Sequence, residues 1–326
     1  MCTAISFGRD NFCFGRTLDH TGSFGESVLI LPRQAPLPIR QEQTIHHHYA
    51  IIGIGCIRDG FPLYYDGVNE KGLAMAGLNF TKSACYDYAG HAKYNIAQFE
   101  LLPWLLGQCA TVTEASDLLK QTCVTDTAFS PELPPAKLHW LLSDGQETIV
   151  LEVMQDGLHL YPNPTGVLTN EPPFPIQMLR LNDYMGLSTT EPENRFSPTL
   201  PLQTISLGSG ALGLPGDTSS QSRFVRAVFW KEHLDPGCSE LQNIHRFFQL
   251  MDTVRVLPGC CKTETGEDEY TLYQSCYHNG ICYYSTSENR QITAVDLNQA
   301  SLDGSTLVHY PLKKTSGVEL QNSHKA

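Results

Sequence analysis

Cys2-Thr3-Ala4-Ile5-Ser6-Phe7 and, after a short break, Phe14-Gly15-Arg16-Thr17-Leu18-Asp19 open the chain as two short strand-like runs. Read as a hairpin, they fold Arg16 and Asp19 back toward the first residues. Cys2 becomes the chain terminus if the initiator is removed, as happens when the second residue is small. One residue would then carry both a thiol and a free α-amine. Their reference pKa values, about 8.5 and about 7.7–8.0, are close enough for the amine to serve as the thiol's base near neutral pH. Position alone does not single Cys2 out, since it reads equally as an ordinary strand residue. Arg16 can favour a thiolate and Asp19 can hold an ammonium, although in isolation the two read as a surface ion pair.

Strand signals continue outward from this hairpin. Residues 27–32, 50–57 and 72–78 are short apolar runs bounded by Gly or polar residues, as buried strands are. Runs 138–143, 148–154 and 158–161 are separated by Asp144-Gly145 and Asp156-Gly157, which predicts an antiparallel meander. Asn279-Gly280 joins 270–278 to 281–286 in the same way. Helical spacing of Ile96, Phe99, Leu102, Leu105 and Leu106 predicts a helix over 95–107. Capping boxes at Thr111/Glu114 and Ser239/Gln242 open two more, and 222–233 reads as another. Strands and helices fall in separate groups, which predicts an α+β fold with antiparallel sheets rather than a doubly wound parallel sheet. No linker divides the chain, so one domain is expected over 1–326, with 185–217 an excursion rich in Ser, Thr, Pro and Gly, and about 313–326 a loose tail.

Two strand readings end in asparagine. A polar turn at Asn69-Glu70-Lys71-Gly72 leads into a small-residue strand closing on Asn79, and Gly166-Val167-Leu168-Thr169 closes on Asn170. Paired strand-end amides can form an oxyanion hole, though each alone reads as a turn residue.

Composition narrows the partners. With 41% hydrophobic residues the chain can bury a large core without disulfides or metals. A formal charge of −12, from 22 basic and 34 acidic residues, repels nucleic acid and anionic lipid, so neither is expected as a partner. No apolar run reaches the roughly 18 residues of a membrane span. The first residues lack the basic-then-apolar pattern of a signal peptide, so the cytoplasm is the expected compartment. Eleven cysteines without a Cys-x-x-Cys pair then read mostly as buried free thiols, Cys260-Cys261, Cys276 and Cys282 included. His46-His47-His48 would alternate faces on a strand and not converge on one ion, so it reads as a solvated loop. No metal and no cofactor is expected.

Taken in order, Cys2, Arg16, Asp19, Asn79, Asn170 and Arg223 resemble the choloylglycine hydrolase family, which holds bile salt hydrolases and penicillin V acylases. So do His139-Trp140-Leu141, Gly213-Leu214-Pro215-Gly216-Asp217, Ser222-Arg223-Phe224-Val225-Arg226-Ala227 and Asn289-Arg290-Gln291-Ile292-Thr293-Ala294-Val295. The resemblance runs from Cys2 to about Leu312. It implies a four-layer αββα sandwich of the N-terminal-nucleophile hydrolase type. Cys2 would be nucleophile through sulfur and base through its amine, with Asp19 orienting the amine. Arg16 and Arg223 would set the charge around the thiolate, and Asn79 and Asn170 would support the oxyanion. The implied reaction cleaves glycine or taurine from conjugated bile salts through a thioester, without metal or cofactor. The excursion at 185–217 resembles the family's assembly segment and implies a homotetramer.

Asn79 stands where penicillin V acylases typically carry Tyr, which favours bile salts. Penicillin V or another N-acyl amide stays open as the alternative. From another class, so does a non-catalytic steroid-binding or thiol-sensing protein on the same scaffold. Thr81, Glu171 and Leu207 depart from the Pro, Asn and Arg common in the family, and Leu207 leaves the choice between glycine and taurine open. Loops near 20–25, 60–65 and 129–140 are expected to supply an apolar trough for a steroid.

Overall fold

In the computed structural model, which describes residues 1–8, 11–88, 92–235, 237–315 and 317, strands dominate. In chain order they are β1 (Cys2–Phe7), β2 (Cys13–His20), β3 (Ser27–Leu31), β4 (Ile51–Arg58), β5 (Phe61–Asn69), β6 (Ala74–Asn79), β7 (Tyr94–Ala97), β8 (Thr122–Thr125), β9 (Leu138–Ser143), β10 (Thr148–Met154), β11 (Gly157–Pro162), β12 (Val167–Leu168), β13 (Tyr270–His278), β14 (Ile281–Thr286), β15 (Thr293–Asp296) and β16 (Val308–Pro311). The helices are α1 (Leu101–Gln108), α2 (Val112–Leu119), α3 (Phe174–Arg180), α4 (Ser220–His233) and α5 (Glu240–Asp252). One sheet has the order β12-β1-β2-β13-β14-β15, a second has β11-β10-β9-β6-β5-β4-β3-β16, and β7 and β8 form a small parallel pair.

Alternate residues of β3 serve two different cores. Val28 and Ile30 belong to one cluster, with Phe14 and Tyr277 of the six-stranded sheet, whose members extend through that sheet to Ile244 and Phe247 of α5. Leu29 and Leu31 pack with Leu105 of α1 and Val112 of α2 in the other. Burying both faces removes the polar alternation of a surface strand, which is why this segment reads as an unbroken apolar run. Each such side chain stabilises the fold by about 1.5–3 kcal/mol. The layers therefore stack as α4 and α5, six-stranded sheet, eight-stranded sheet, α1 and α2: the αββα sandwich that the family resemblance implies, and the α+β class with antiparallel sheets read from the residues.

The antiparallel meander β9-β10-β11 forms, but at its Asp-Gly pairs only Gly145 and Gly157 take positive φ, at 84° and 117°, and Gly157 already belongs to β11; Asn279-Gly280 alone turns as read. Asn279 and Gly280 take φ values of 48° and 76°, both in the left-handed region that the two-residue hairpin between β13 and β14 requires. The capping boxes form too: Thr111 Oγ1 accepts from the Glu114 N–H at 3.2 Å and Ser239 Oγ from the Gln242 N–H at 3.3 Å.

Other expectations are corrected. The helix expected over 95–107 starts only at Leu101, and 94–97 is strand β7. A helix from 95 would put Pro103 in its interior, where the missing N–H and the ring clash break it; starting at Leu101 places Pro103 in the first turn, where no N–H bond is needed. Ile96 instead pairs with Val124 and is fully buried. Helix α3 was not foreseen. His46 and His47 are exposed, but His48 is buried, its Nε2 2.8 Å from the Ala35 carbonyl. Cys260 is exposed and Cys261 half-buried, while Cys276 and Cys282 lie in the core. The expected tail at 313–326 lies mostly outside the described residues.

Strand β2 approaches β13 closely at Gly15. A Cβ there would sit 1.9 Å from the Ser275 carbonyl oxygen, a main-chain atom that cannot swing away. Gly15→Ala is expected to destabilise the protein by about 3 kcal/mol or more, read as a lower urea midpoint. An unchanged midpoint would contradict this register.

At the end of β2 remote from Cys2, Cys13 Sγ lies 3.8 Å from His278 Nδ1, which also lies 2.7 Å from the Phe12 carbonyl. His278 Nε2 faces Glu240 Oε1 at 3.2 Å. Hydrogen bonding from Cys276, opposed by burial and aided by His278, lowers the Cys13 thiol to about 6. The bond to Cys13, against burial, raises His278 to about 9. The imidazolium's stabilisation is present in full below the ordinary histidine value and lost as pH rises through about 9. The thiolate's is present above the ordinary cysteine value and lost as pH falls through about 6. Cys13→Ser is therefore expected to move His278 down toward its ordinary value, read by NMR titration of the ring protons. A variant that still titrates near 9 would assign the shift to Phe12 and Glu240 instead.

Candidate active site

The β1–β2 register decides which side chains meet Cys2. Cys2 stands opposite Leu18, and Ala4 opposite Arg16, so Cys2 and Arg16 are diagonal neighbours on one face of the hairpin. That face looks into the space between the sheets. Arg16 crosses it, donating from Nη1 to the Gly77 carbonyl at 2.5 Å and the Tyr65 carbonyl at 3.2 Å, and from Nε to the Thr17 carbonyl at 3.1 Å. Its Nη2 lies 2.6 Å from Cys2 Sγ. Burial alone would lower the guanidinium's pKa, but the Cys2 sulfur, Tyr273 and the Asp66 and Asp19 carboxylates carry it upward. Arg16 stays a fixed cation at 1% exposure, and a donor on sulfur interacts better with a thiolate than with a thiol.

Arg223 reaches the same residue from the other side of the strand. It lies in the first turn of α4, fully buried, and donates to the Cys2 carbonyl at 2.5 Å, to Thr3 Oγ1 at 2.7 Å and to Asn170 Oδ1 at 2.7 Å. Burial lowers its pKa, with Asp19 and Cys2 opposing. The sulfur and the main chain of Cys2 thus each face a guanidinium.

Asn170 follows β12, whose pairing of Leu168 with Ala4 carries the chain toward Cys2. Its Oδ1 accepts from the Cys2 N–H at 2.9 Å, and its Nδ2 donates to the Asn79 carbonyl at 2.9 Å. Asn79 ends β6. Its own side-chain amide makes no hydrogen bond among the described residues and lines the cavity beside Cys2. The Asp19 carboxylate accepts from Thr271 Oγ1 at 2.6 Å and Thr17 Oγ1 at 3.3 Å, while its main chain holds the initiator: the Asp19 N–H donates to the Met1 carbonyl at 3.1 Å and its carbonyl accepts from the Met1 ammonium at 3.3 Å. That ammonium also pairs with Glu269. The structure gathers the other five sequence-predicted residues around Cys2.

Several neighbours were not foreseen. Asp66 of β5 is fully buried behind Arg16 and accepts from Tyr273 and Ser275 hydroxyls, each at 2.5 Å, and from Tyr277 at 3.1 Å. Burial pushes its carboxyl up, and Arg16 and these hydroxyls oppose the shift. Ser275 Oγ in turn accepts from the Arg16 N–H at 3.1 Å. The signal available in the sequence was an acid inside the apolar run Phe61-Pro62-Leu63-Tyr64-Tyr65-Asp66.

A cavity of about 280 Å³ opens at Cys2. Its walls are largely apolar: Phe24 and Leu63 on one side, and Phe129, Leu133 and Trp140 from the 129–140 segment. All three regions expected to form a trough contribute, although Leu63, Tyr64 and Tyr65 belong to strand β5 and Leu138 and Trp140 to β9 rather than to loops, and Phe99 and Leu102 join them. Polar groups are concentrated at the Cys2 end, in Arg16, Asp19 and Asn79, the arrangement of a site that buries an apolar body and reacts at its polar end. No group of side chains among the described residues could hold a metal ion.

Residues 2–310 match the family model of linear amide C–N hydrolases, choloylglycine hydrolase family. A bile salt hydrolase/transferase of Lactiplantibacillus plantarum is 45% identical over 315 residues, covering 96% of this chain and 97% of that protein. A bile salt hydrolase/transferase of Clostridium perfringens is 33% identical over 99% of this chain and 100% of its own length. Among solved structures, a Cys-to-Ala variant of the conjugated bile acid hydrolase from Clostridium perfringens superposes with a TM-score of 0.92 at 33% identity, covering 99% of this chain and 100% of the other. Penicillin V acylase from Agrobacterium tumefaciens shares the fold, with a TM-score of 0.74 at 20% identity over 95% of this chain and 90% of its own.

Proposed function

The chain belongs to the choloylglycine hydrolase family of linear amide C–N hydrolases, and on that premise we propose that it is a bile salt hydrolase, cleaving the amide that joins glycine or taurine to a bile acid. One observation carries the reading: the Cys2 sulfur, with Arg16 Nη2 at 2.6 Å, sits at the polar end of an otherwise apolar cavity. In the proposed mechanism Met1 is removed and Cys2 becomes the terminus. Its thiolate attacks the amide carbonyl, and the oxyanion takes hydrogen bonds from the Asn79 amide and from the second N–H of Asn170. The Cys2 ammonium protonates the leaving nitrogen as the C–N bond breaks. Water then attacks the thioester, the freed amine accepts its proton, and the C–S bond breaks to release the bile acid. Asn170 Oδ1 and the Asp19 carbonyl, already at the Cys2 N–H and the Met1 ammonium, would hold the new amine. An amine attacking the thioester in place of water would return an amide.

Protein with a processed N-terminus should release glycine or taurine from glycocholate or taurocholate with a larger kcat/KM than it shows on phenoxymethylpenicillin. Release from no conjugated bile salt would overturn the reading, and a larger value on the penicillin would replace it with acylase activity. Asn79→Ala is expected to cost about 10²–10³-fold in kcat, with KM changed far less, because the donor acts on charge that develops only in the transition state.

We also propose a homotetramer built through residues 185–217. That arm exposes Met185, Phe196, Ile205, Leu207 and Leu212, each at 80% or more, an apolar surface that a monomer rarely shows. Light scattering at the mass of a monomer would contradict this. All eleven cysteines are free, which supports a reducing, cytoplasmic setting. No helix among the described residues is long and apolar enough to cross a membrane.

A further inference from the structure

His139 and Glu152 face each other across β9 and β10, both 0% exposed, with His139 Nδ1 3.1 Å from Glu152 Oε1. Their side chains point into the space between the sheets, since Leu141 and Val150, the next residues on the same face, belong to the core shared with β1 and β2. His139 Nε2 lies 2.8 Å from the carbonyl of Thr169, the residue before Asn170. A carbonyl only accepts, so Nε2 carries a hydrogen and donates. The Nδ1–Oε1 contact then holds one shared proton. Glu152 Oε1 accepts also from the N–H of Phe174, the first residue of α3, at 3.0 Å.

Both asparagine-bearing segments converge on this pair. From the eight-stranded sheet, Leu78 pairs with His139, and the Phe80 ring stacks on the imidazole with centroids 4.3 Å apart and planes 6° from parallel. Asn79 lies between those two residues. From the other sheet, Thr169 and Phe174 bracket Asn170 and are held by His139 and Glu152 respectively. Gln177 of α3 donates to the Asn170 carbonyl at 3.3 Å, and Ser220 Oγ accepts from the Asn170 N–H at 2.8 Å, which completes the hold on that residue.

The pair is a poor device for stability alone. A buried ionic pair is commonly matched or exceeded by apolar residues of the same volume. Here Glu152 Oε2 is also sealed from solvent with no hydrogen-bond partner among the described residues, a cost that packing alone would remove. We propose that His139 and Glu152 are positioning residues for the acyl-transfer site, setting the asparagine amides against the Cys2 nitrogen and the developing oxyanion. The proposal rests on the hydrolase reading. It assigns to the pair a role in rate and not in substrate binding, since neither residue lines the cavity.

Glu152→Gln keeps the shape and an acceptor for Phe174 but removes the charge. It is expected to lower kcat on glycocholate by about 10²-fold with KM within a few-fold, as a displacement of catalytic groups on the order of 1 Å would do. His139→Ala should fall at least as far. His139→Gln, which restores a donor toward Thr169, should recover part of the loss. The double variant His139→Ala/Glu152→Gln should be no slower than His139→Ala, since the two residues act as a unit. Unchanged kcat in Glu152→Gln with a lowered melting temperature would overturn the proposal, as would a rise in KM that accounts for the whole loss. If the parent protein turns over no bile salt, the hydrolase reading fails by itself. The pair is then read from the rate of Cys2 alkylation by iodoacetamide, followed by intact mass. A rate in Glu152→Gln equal to the parent's would overturn the positioning role on that measure too.

Discussion

Cys2→Ser is expected to lose about 10⁴-fold or more in kcat on conjugated bile salts while binding a bile acid product with nearly unchanged affinity. A loss of that size corresponds to roughly 5.5 kcal/mol of transition-state stabilisation. The hydroxyl occupies almost the same volume, so the cavity should be undisturbed. What disappears is sulfur, intrinsically a far stronger nucleophile than a hydroxyl oxygen, and with it the atom that Arg16 Nη2 faces at 2.6 Å. Removing a nucleophile in other hydrolases costs even more, which sets the scale. Two measurements check the result: release of glycine or taurine under saturating substrate, and calorimetric binding of the product. Equal losses in the two would mean that Cys2 shapes the pocket and does not do the chemistry.

A chain that keeps its initiator should be nearly inactive. With Met1 attached, the Cys2 nitrogen is a peptide N–H that donates to Asn170 Oδ1 at 2.9 Å, and a peptide nitrogen has no basic lone pair. Met1 is also well seated, its carbonyl on the Asp19 N–H and its ammonium at the Asp19 carbonyl and Glu269. A fusion that a protease cuts immediately before Cys2 tests this within one preparation. Turnover should rise by about 10³-fold on cutting, the range a positioned general base supplies. Full activity before cutting would show that another group takes the proton.

Much of this site was legible because a hairpin has only two faces. Once 2–7 and 14–19 are strands, the juxtaposition of Cys2 and Arg16 depends only on register. The outer strands were legible for a similar reason, since β3 and β4 bury both faces and leave continuous apolar runs. Arg223 is different. It arrives from a helix 221 residues away in sequence, and only the resemblance to a family pointed to it. The hydroxyls around Asp66 come from β13, a pairing of distant strands that no local pattern announces. Helix α1 was placed too early because the spacing of Ile96 and Phe99 was weighed above the backbone demand of Pro103.

Strand β1 is flanked on both sides, by β12 and by β2. Chain ends usually fray well before a protein melts, yet here the end of the chain is woven between two neighbours and shares their hydrogen bonds. Local opening that would let Cys2 wander must also peel apart the sheet. Loss of turnover on heating should therefore coincide with global melting, and the first amides of this polypeptide should exchange with deuterium among its slowest.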